Sequence, residues 1–350
     1  MAMILTGTGC GNNSKDNKQS KTESITSSKD EEKIDVKDGK NYTIMIYMVG
    51  SNLESESMAA SKDIMEIMDS GIDVEKNNVI LYTGGSKCWY VSIDANKNST
   101  YKLTEDKEMQ LVNSTESKNM ADGDTLKEFI DYCYDNYKAN HYGLICWDHG
   151  AGPIGGFGND ELYDYDSMYS VEMKNAFETS EFCKDRKFDF IGFDACLMSS
   201  IEYADMLSNY SDYLVASQET EPGTGWNYSF LKKLNSESNP ETIGKEIVDK
   251  YMEASNDSKS YVQPDLTMAC LNLKKVNDVV NSMNALLGKM SLELDNDKYE
   301  DVAATRYSVK EYGLTATGKG NSLDLVDLGD LATKMSEQYP DESKELNEKI

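Results

Sequence analysis

The chain has 350 residues, of which 39% are hydrophobic and 28% are charged, and its formal net charge is -27 at pH 7. A chain of this length forms one or two globular domains. Its 62 acidic residues, against 35 basic ones, exclude a nucleic-acid partner held through its phosphates, because that attraction would become a repulsion. Only two histidines occur, His141 and His149, so any mechanism that uses an imidazole must use one of them.

The first forty residues differ in composition from the rest of the chain. After a short apolar start come small residues around Cys10, and then a polar stretch rich in Lys, Ser, Asp and Asn. Such a stretch cannot bury enough apolar surface to offset the entropy cost of ordering, so we expect residues 1–40 to form a disordered tether. The run ending at Cys10 resembles a bacterial lipobox, which implies a lipid on Cys10 and an extracellular or cell-surface location. An unstructured tail with an incidental cysteine is the alternative.

From residue 41 onward, strand patterns and helix patterns alternate, which favours an α/β fold with a mostly parallel sheet and helices on both faces. The first strand, over 42–49, is an almost continuous apolar run and is therefore expected at the centre of the sheet. The patterns that follow predict a helix over 58–68, a strand over 78–82, a hairpin from 88–93 and 100–103, and a helix over 124–137.

Two later strands lead into residues with reactive side chains. The strand over 142–147 is followed by His149, and the strand over 188–193 is followed by Cys196. In open α/β sheets ligands bind at the carboxyl ends of the strands, so we expect both side chains at the same edge. A helical pattern begins directly after the cysteine, at Leu197, and a helix N-terminus favours a thiolate. A thiol and an imidazole in this arrangement can act as a nucleophile and its base.

Asp194 lies two residues before Cys196, and alternation along a strand places both side chains on the same side. A carboxylate near a thiol raises the thiol pKa, a conflict that a cationic substrate side chain would relieve. We therefore interpret Asp194 as the floor of a pocket for Arg or Lys. Gly150 leaves room for a substrate, and its N–H, with that of Cys196, could donate to an oxyanion.

Three segments carry a resemblance to a known family: WDHGAG at 147–152, DAC at 194–196 and SQETEPGTGW at 217–226. Together they closely resemble the clostripain family of cysteine peptidases and, more broadly, the clan of caspases, legumains, gingipains and separases. The similarity extends from about residue 41 to about residue 338. It implies a caspase-like catalytic core over 41–226. Beyond it, helical patterns over 240–254, 274–292 and 324–339 and a strand near 266–273 predict a C-terminal α+β extension over 227–350 that packs on the core.

The resemblance also implies an activity, which is cleavage of peptide bonds after Arg or Lys through a Cys-His dyad. In that reading His149 is the general base and acid, and Cys196 is the nucleophile. The backbone N–H groups of Gly150 and Cys196 bind the oxyanion, and Asp194 is the acidic specificity residue. Glu219, Glu221 and Trp226 lie where the family builds the wall of the same pocket.

The resemblance leads us to expect a monomer that acts on peptides or proteins with basic residues and requires no cofactor. Some family members respond to calcium, and the acidic loop over 159–166 offers oxygen ligands. That loop lacks the spacing of an EF-hand, so a solvated acidic loop is the favoured interpretation.

A second function remains open, which is a catalytically silent surface lipoprotein that binds peptide or glycan on a peptidase-like scaffold. Retention of both His149 and Cys196 argues against it. We further expect His141 at the surface before its strand, Asp148 as a structural hydrogen-bonding carboxylate, and the cysteines other than Cys10 and Cys196 in core or half-buried positions.

Overall fold

The computed structural model describes residues 39–257, 266–294, 299–313 and 323–350. All of them belong to one structural unit that extends from Asp35 to Ile350. The tether predicted over 1–40 lies outside the described residues except for its last two positions. The division at 226/227 into a core and an extension stays a prediction.

Twelve strands occur in the described part of the chain. They are β1 (Lys40–Val49), β2 (Asn77–Gly84), β3 (Lys97–Leu103), β4 (Met109–Glu116), β5 (Ala139–Trp147), β6 (Phe157–Asp160), β7 (Asp166–Met168), β8 (Phe188–Asp194), β9 (Ser211–Ala216), β10 (Ala269–Asn272), β11 (Glu311–Tyr312) and β12 (Leu325–Val326). Eight of them form the main sheet, in the order β10-β9-β8-β5-β1-β2-β3-β4. The five strands from β9 to β2 pair in parallel, and the strands at both edges are antiparallel. This confirms the predicted α/β class with a mostly parallel sheet.

Helices cover both faces of the sheet. They are α1 (Ser51–Ser57), α2 (Ala59–Asp69), α3 (Gly123–Asn136), α4 (Gly152–Gly155), α5 (Ser170–Thr179), α6 (Glu181–Asp185), α7 (Ile201–Leu207), α8 (Pro240–Asp257), α9 (Val276–Leu294), α10 (Tyr299–Tyr307), α11 (Leu328–Met335) and α12 (Pro340–Lys349). The apolar residues of α3, α5, α6 and α7 pack on one face, and those of α2 and α8 pack on the other. No helix among the described residues is long and apolar enough to span a bilayer.

Strand β1 shows why its sequence is apolar almost throughout. Met45 and Tyr47 point into the core on one face of the sheet, whereas Ile44 and Ile46 point into the core on the other. Successive side chains of a strand alternate between faces, so a strand covered on both faces needs apolar residues at every position. Strand β1 pairs in parallel with β5 on one side and with β2 on the other.

The edge hairpin differs from the prediction. It is formed by β3 and β4, which pair over 97–116, and the segment 88–93 is not a strand. Cys88 in that segment is exposed, whereas the other predicted packing cysteines are buried or half-buried. The segment forms an irregular loop whose apolar residues, such as Val91 and Ile93, are partly buried against the core. Its apolar residues therefore reflect packing of a loop and not a strand.

His141 was predicted before its strand and at the surface, and this was wrong. It lies within β5, stacks on Tyr42 with ring centroids 4.8 Å apart, and places Nδ1 2.7 Å from a carboxylate oxygen of Asp189. Its side chain is 21% exposed. This histidine lies at the amino end of β5, away from the edge at which His149 lies.

Candidate active site

Strands β5 and β8 are direct neighbours and end together. Trp147 pairs with Asp194, and the N–H of Asp148 donates to the Asp194 carbonyl oxygen at 3.3 Å. Neighbouring strands lie about 4.8 Å apart. His149 and Cys196 each follow two residues after this last pair, so the structure brings both to one edge of the sheet.

The two strand-end loops touch at Gly150. A Cβ atom at this position would lie 2.1 Å from the carbonyl oxygen of Cys196, a distance at which no side chain fits. The loop after His149 is further held by two bonds to the strand β6 region, from the N–H of Gly158 to the His149 carbonyl and from the N–H of Ala151 to the Gly156 carbonyl, both 2.9 Å. Neither bond uses the N–H of Gly150. Gly150 thus permits the close approach of the histidine loop to the cysteine loop.

The helix predicted to start directly after Cys196 is displaced, which corrects the sequence interpretation. Leu197 has a left-handed backbone with φ of 65°, a conformation that interrupts a right-handed helix. Helix α7 begins only at Ile201, after Ser200, whose side chain accepts the N–H of Tyr203 at 3.3 Å. The field of a helix terminus falls off within one turn, so α7 is not the element that would stabilise a Cys196 thiolate.

The thiol of Cys196 is neutral at physiological pH in this geometry. Burial raises its pKa to about 11, although a hydrogen bond from the N–H of Glu221 to Sγ, at 3.1 Å, opposes the shift. The negative charge of the Glu221 side chain adds to the increase. A thiol in this state attacks a substrate only if a base removes its proton.

His149 has the properties of such a base. Burial lowers its pKa below the ordinary value, so the imidazole is neutral at pH 7 and can accept a proton. Its Nε2 lies 2.8 Å from Oδ1 of Asn52, the second residue of α1. Asn52 was not predicted from the sequence. The available signal was its place directly after a buried strand, but the pairing of β1 with β5 was needed to bring it to the histidine.

Asp148 points away from His149, as strand alternation predicts. Its Oδ2 accepts the N–H of Asn159, and its Oδ1 has no hydrogen-bond partner among the described residues. Burial raises its pKa well above the ordinary value. The carboxyl therefore holds strand β6 against the end of β5, which agrees with the structural role expected for it.

Asp194 is buried, with 5% of its surface exposed, and both of its oxygens are used. Oδ1 accepts the N–H of Trp226 at 3.1 Å, and Oδ2 accepts the hydroxyl of Tyr228 at 2.9 Å. Burial raises the pKa of Asp194 to about 7, and these hydrogen bonds limit the increase. The structure therefore places this carboxyl deep beside the Cys196 loop, not at an open rim.

A second carboxylate, Asp63 of α2, lies close to Asp194 and was not found from the sequence. A Cβ atom at Gly225 would lie 2.9 Å from Oδ1 of Asp194 and 3.3 Å from Oδ2 of Asp63. Asp63 also accepts the indole N–H of Trp147 at 2.7 Å. Burial, and next the charge of Asp194, raise the pKa of Asp63 well above its ordinary value. The signal in the sequence was only an acidic residue within a helix, which is normally exposed.

The three remaining predicted pocket residues take different positions. Both carboxyl oxygens of Glu221 are buried. Burial, and next the charge of Asp194, raise its pKa well above the ordinary value, although the backbone N–H of Ala195 and the indole N–H of Trp226 act to lower it. Glu219 instead accepts the N–H groups of Thr220 and Gly313 at 2.8 and 3.0 Å, so its carboxyl links two chain segments. Trp226 is fully buried beneath β8.

The acidic loop over 159–166 uses its carboxyls differently. Asp160 accepts the N–H groups of Met120 and Leu162 at 2.7 and 2.8 Å. Glu161 accepts the N–H of Lys87 at 3.0 Å and pairs with its ammonium at 3.2 Å. Across the described ranges, no group of three or more His, Cys, Asp or Glu side chains is arranged to hold a metal ion.

Comparison with known proteins yields one family and several relatives. A sequence model of the Clostripain family matches residues 46–349. Clostripain of Hathewaya histolytica is 28% identical over 249 residues, which cover 61% of this chain. The match spans only 45% of the length of that relative.

Solved structures of C11 cysteine proteases share the fold. A secreted protease from Bacteroides thetaiotaomicron, called iotapain, is 16% identical with a TM-score of 0.65, and the match covers 89% of this chain and 84% of that one. An inactive zymogen from Parabacteroides distasonis is 19% identical, also with a TM-score of 0.65, over 89% and 81% of the two chains. A secreted protease of B. thetaiotaomicron, solved with an irreversible peptide inhibitor, is 22% identical with a TM-score of 0.59, over 71% of each chain.

Proposed function

The chain belongs to the clostripain family of cysteine peptidases, and on this premise we propose that it is an endopeptidase that cleaves peptide bonds after Arg or Lys. The observation that carries the proposal is a thiol and an imidazole at the ends of two adjacent parallel strands, beside buried carboxyls. Bases, nucleophiles and specificity groups of α/β enzymes collect at this edge of the sheet. Peptide or protein substrates with basic residues are the proposed partners.

The proposed reaction starts from a neutral pair. His149 takes the proton of the Cys196 thiol as Sγ bonds to the carbonyl carbon of the substrate. The raised thiol pKa and the lowered imidazole pKa both support this order of events, because neither group is ionised at pH 7 before the substrate reacts. The protonated imidazole then donates to the leaving amine, and the acyl group stays on sulfur as a thioester.

Hydrolysis of the thioester completes the cycle. His149 takes a proton from water, the hydroxide oxygen bonds to the acyl carbon, and sulfur leaves as the thiol when the proton returns to it. We assign the backbone N–H groups of Gly150 and Cys196 to the oxyanion in both tetrahedral intermediates. The close contact of the two loops at Gly150 supports this assignment, because it brings the two backbone segments together.

Specificity for Arg or Lys is proposed to come from the carboxyls of Asp194, Asp63 and Glu221. These side chains are buried, and burial raises the pKa of each, so their charged forms are disfavoured as long as no cation lies beside them. A substrate guanidinium or ammonium would lower these pKa values, favour the carboxylate forms and make charge-assisted hydrogen bonds with them. The backbone N–H of Trp226 supports this pocket by donating to Asp194. The carboxyl of Glu219 fixes the wall segment by accepting the backbone N–H of Thr220.

We also propose a location outside the cell or on its surface. Two of the relatives from B. thetaiotaomicron are described as secreted. The polar segment before residue 40 and Cys10 support a lipid anchor in the same proposal. The acidic loop over 159–166 is proposed as a hydrogen-bonded loop, with no metal required for catalysis.

Measuring peptide turnover distinguishes a peptidase from a silent peptide-binding scaffold. Purified protein is incubated with fluorogenic peptides that end in Arg or Lys, and Cys196→Ala serves as the matched control. We expect turnover by the wild type and a loss of at least about 1,000-fold in the variant, because the nucleophile is removed. Absence of turnover with either peptide, before and after limited trypsin treatment, would contradict the peptidase proposal and favour the silent scaffold.

A further inference from the structure

We propose that Asn52 is a positioning residue that holds His149 in the tautomer with its proton on Nε2, which leaves Nδ1 free to take the Cys196 proton. The inference rests on the proposed function for its catalytic consequence. Its structural content, the tautomer of one imidazole, is independent of that function. Asn52 lies outside every motif that the sequence analysis used.

The contact itself fixes the direction of the hydrogen bond. Nε2 of His149 lies 2.8 Å from Oδ1 of Asn52. A side-chain amide oxygen can only accept, so the ring nitrogen that faces it carries the proton. The hydroxyl of Ser51 is 3.2 Å from the same oxygen and donates to it, which supports the oxygen in this orientation. In a neutral imidazole the other nitrogen, Nδ1, is then the basic one.

The backbone that carries Asn52 is held in place by the two residues that follow strand β2. Ser51 is fully buried and has a left-handed backbone with φ of 52°. Its N–H donates to the carbonyl of Gly85 at 3.1 Å, and its own carbonyl accepts the hydroxyl of Ser86 at 2.8 Å. A non-glycine residue persists in this backbone region when surrounding contacts fix it. The contacts of Ser51 thus set where Asn52 meets the imidazole.

A neutral partner suits a base that starts without charge. Oδ1 of Asn52 accepts the hydrogen bond from Nε2–H and carries no negative charge, so it does not raise the histidine pKa as a carboxylate would. The nearest acidic neighbour in the chain, Asp148, directs its carboxyl to Asn159, and burial is the cause that lowers the pKa of His149. Cys196, the titratable group at the adjoining strand end, is neutral because of its raised pKa. Asn52 thus sets the tautomer of His149, whereas burial sets its pKa.

The first test reads the tautomer directly. Because the chain has two histidines, His141→Gln leaves one imidazole, and its ¹⁵N chemical shifts report which ring nitrogen carries the proton. We expect the Nε2–H form in the His141→Gln protein, and a mixture of tautomers after Asn52→Ala is added. A dominant Nδ1–H form, or no change on adding Asn52→Ala, would overturn the proposal whether or not the protein cleaves peptides.

The second test separates positioning from a structural role. Asn52→Ala should lower kcat by about 10- to 100-fold with little change in KM, because the base is misplaced and the pocket is intact. Asn52→Asp should move the acidic limb of the kcat/KM profile to higher pH by about 1 unit, since a carboxylate raises the pKa of the imidazole. Glu56→Ala, on the exposed face of the same helix, is the matched control and should leave both readouts unchanged.

Each outcome of the second test decides one question. Thermal unfolding of each variant shows whether the fold is retained. Folded Asn52→Ala with wild-type kcat, or folded Asn52→Asp with an unshifted acidic limb, would overturn the positioning role. If the wild type has no activity, the peptidase proposal fails, and the ¹⁵N measurement still decides whether Asn52 holds the tautomer.

Discussion

Two groups of acidic side chains lie near the same edge of the sheet and differ in what compensates their charge. In the loop over 159–166, Asp160 and Glu161 accept backbone N–H groups, and Lys87 pairs with the second of them. Near Cys196, Asp194 accepts one backbone N–H and the Tyr228 hydroxyl, and Asp63 accepts the indole N–H of Trp147. Within the described ranges neither carboxyl forms a salt bridge with a lysine or arginine, and burial raises the pKa of both, as it does for Asp160.

The difference shows how the same residue type serves structure in one place and recognition in another. A carboxylate that receives backbone N–H groups or a lysine is stabilised within the fold. A buried carboxylate without a cation is costly, and the cost falls when a ligand brings the positive charge. In the loop, hydrogen bonds and the Lys87 ammonium outweigh burial and hold the pKa of Glu161 below its ordinary value, whereas the proposed pocket receives its positive charge from a substrate. The following predictions test this contrast, from the largest expected effect to the smallest.

Replacing Asp194 by Asn should remove most of the preference for a basic substrate. We expect the ratio of kcat/KM for an Arg peptide to that for its citrulline analogue to fall by about 100-fold or more, because unpairing a buried charge costs about 3–5 kcal/mol. Citrulline matches arginine in shape and carries no charge. The control is alkylation of Cys196 by iodoacetamide, which should change far less. An unchanged preference for Arg would refute the pocket assignment.

The pH dependence of the same ratio should follow the carboxyl of Asp194, whose pKa burial raises to about 7. Above this pH the group is charged and attracts the basic side chain, and below it the group is neutral and the attraction is lost. We expect the Arg-to-citrulline ratio to fall by about tenfold per pH unit well below pH 7. Protonation of His149 affects both peptides equally and cancels in the ratio. An Arg-to-citrulline ratio that is constant from pH 8 to pH 5 would show that the Asp194 carboxyl does not bind the basic side chain.

A substitution in the acidic loop should lower the stability of the protein and leave its substrate preference unchanged. Asp160→Asn leaves one of two N–H donors, those of Met120 and Leu162, facing an amide NH₂ instead of an oxygen. We expect the free energy of unfolding to fall by about 1–3 kcal/mol, the usual cost of an unsatisfied buried donor. Denaturant unfolding measures this change, and the Arg-to-citrulline ratio should stay at its wild-type value. A lowered ratio with unchanged stability would assign the loop to the pocket.

The mostly parallel sheet could be predicted from the sequence. The predictions were wrong where tertiary contacts override the local conformational preference. The helix expected from Leu197 begins at Ile201 because Leu197 is left-handed, and no apolar periodicity reports the sign of φ. His141 looked like a surface residue ahead of β5. It lies inside that strand because Tyr42 and Asp189 are available on the neighbouring strands.

The site shows the same division. His149 and Cys196 could be predicted as a pair because motifs close to strand ends are local in sequence. Asn52 and Asp63 were missed, since they lie 97 and 84 residues from their partners, His149 and Trp147. Nothing local marks an asparagine or a helical aspartate as part of such contacts.

The sequence alone determined the α/β class, the order of the histidine and cysteine strands, and the acid beside the cysteine. These follow from periodicity and from residues within a few positions of each other. Only the tertiary structure decided that Cys196 stands clear of a helix terminus, that Asn52 meets the imidazole, and that Asp63 lies beside Asp194. The reason is physical: pKa values and hydrogen-bond partners depend on burial and on groups brought together by the packing of distant segments.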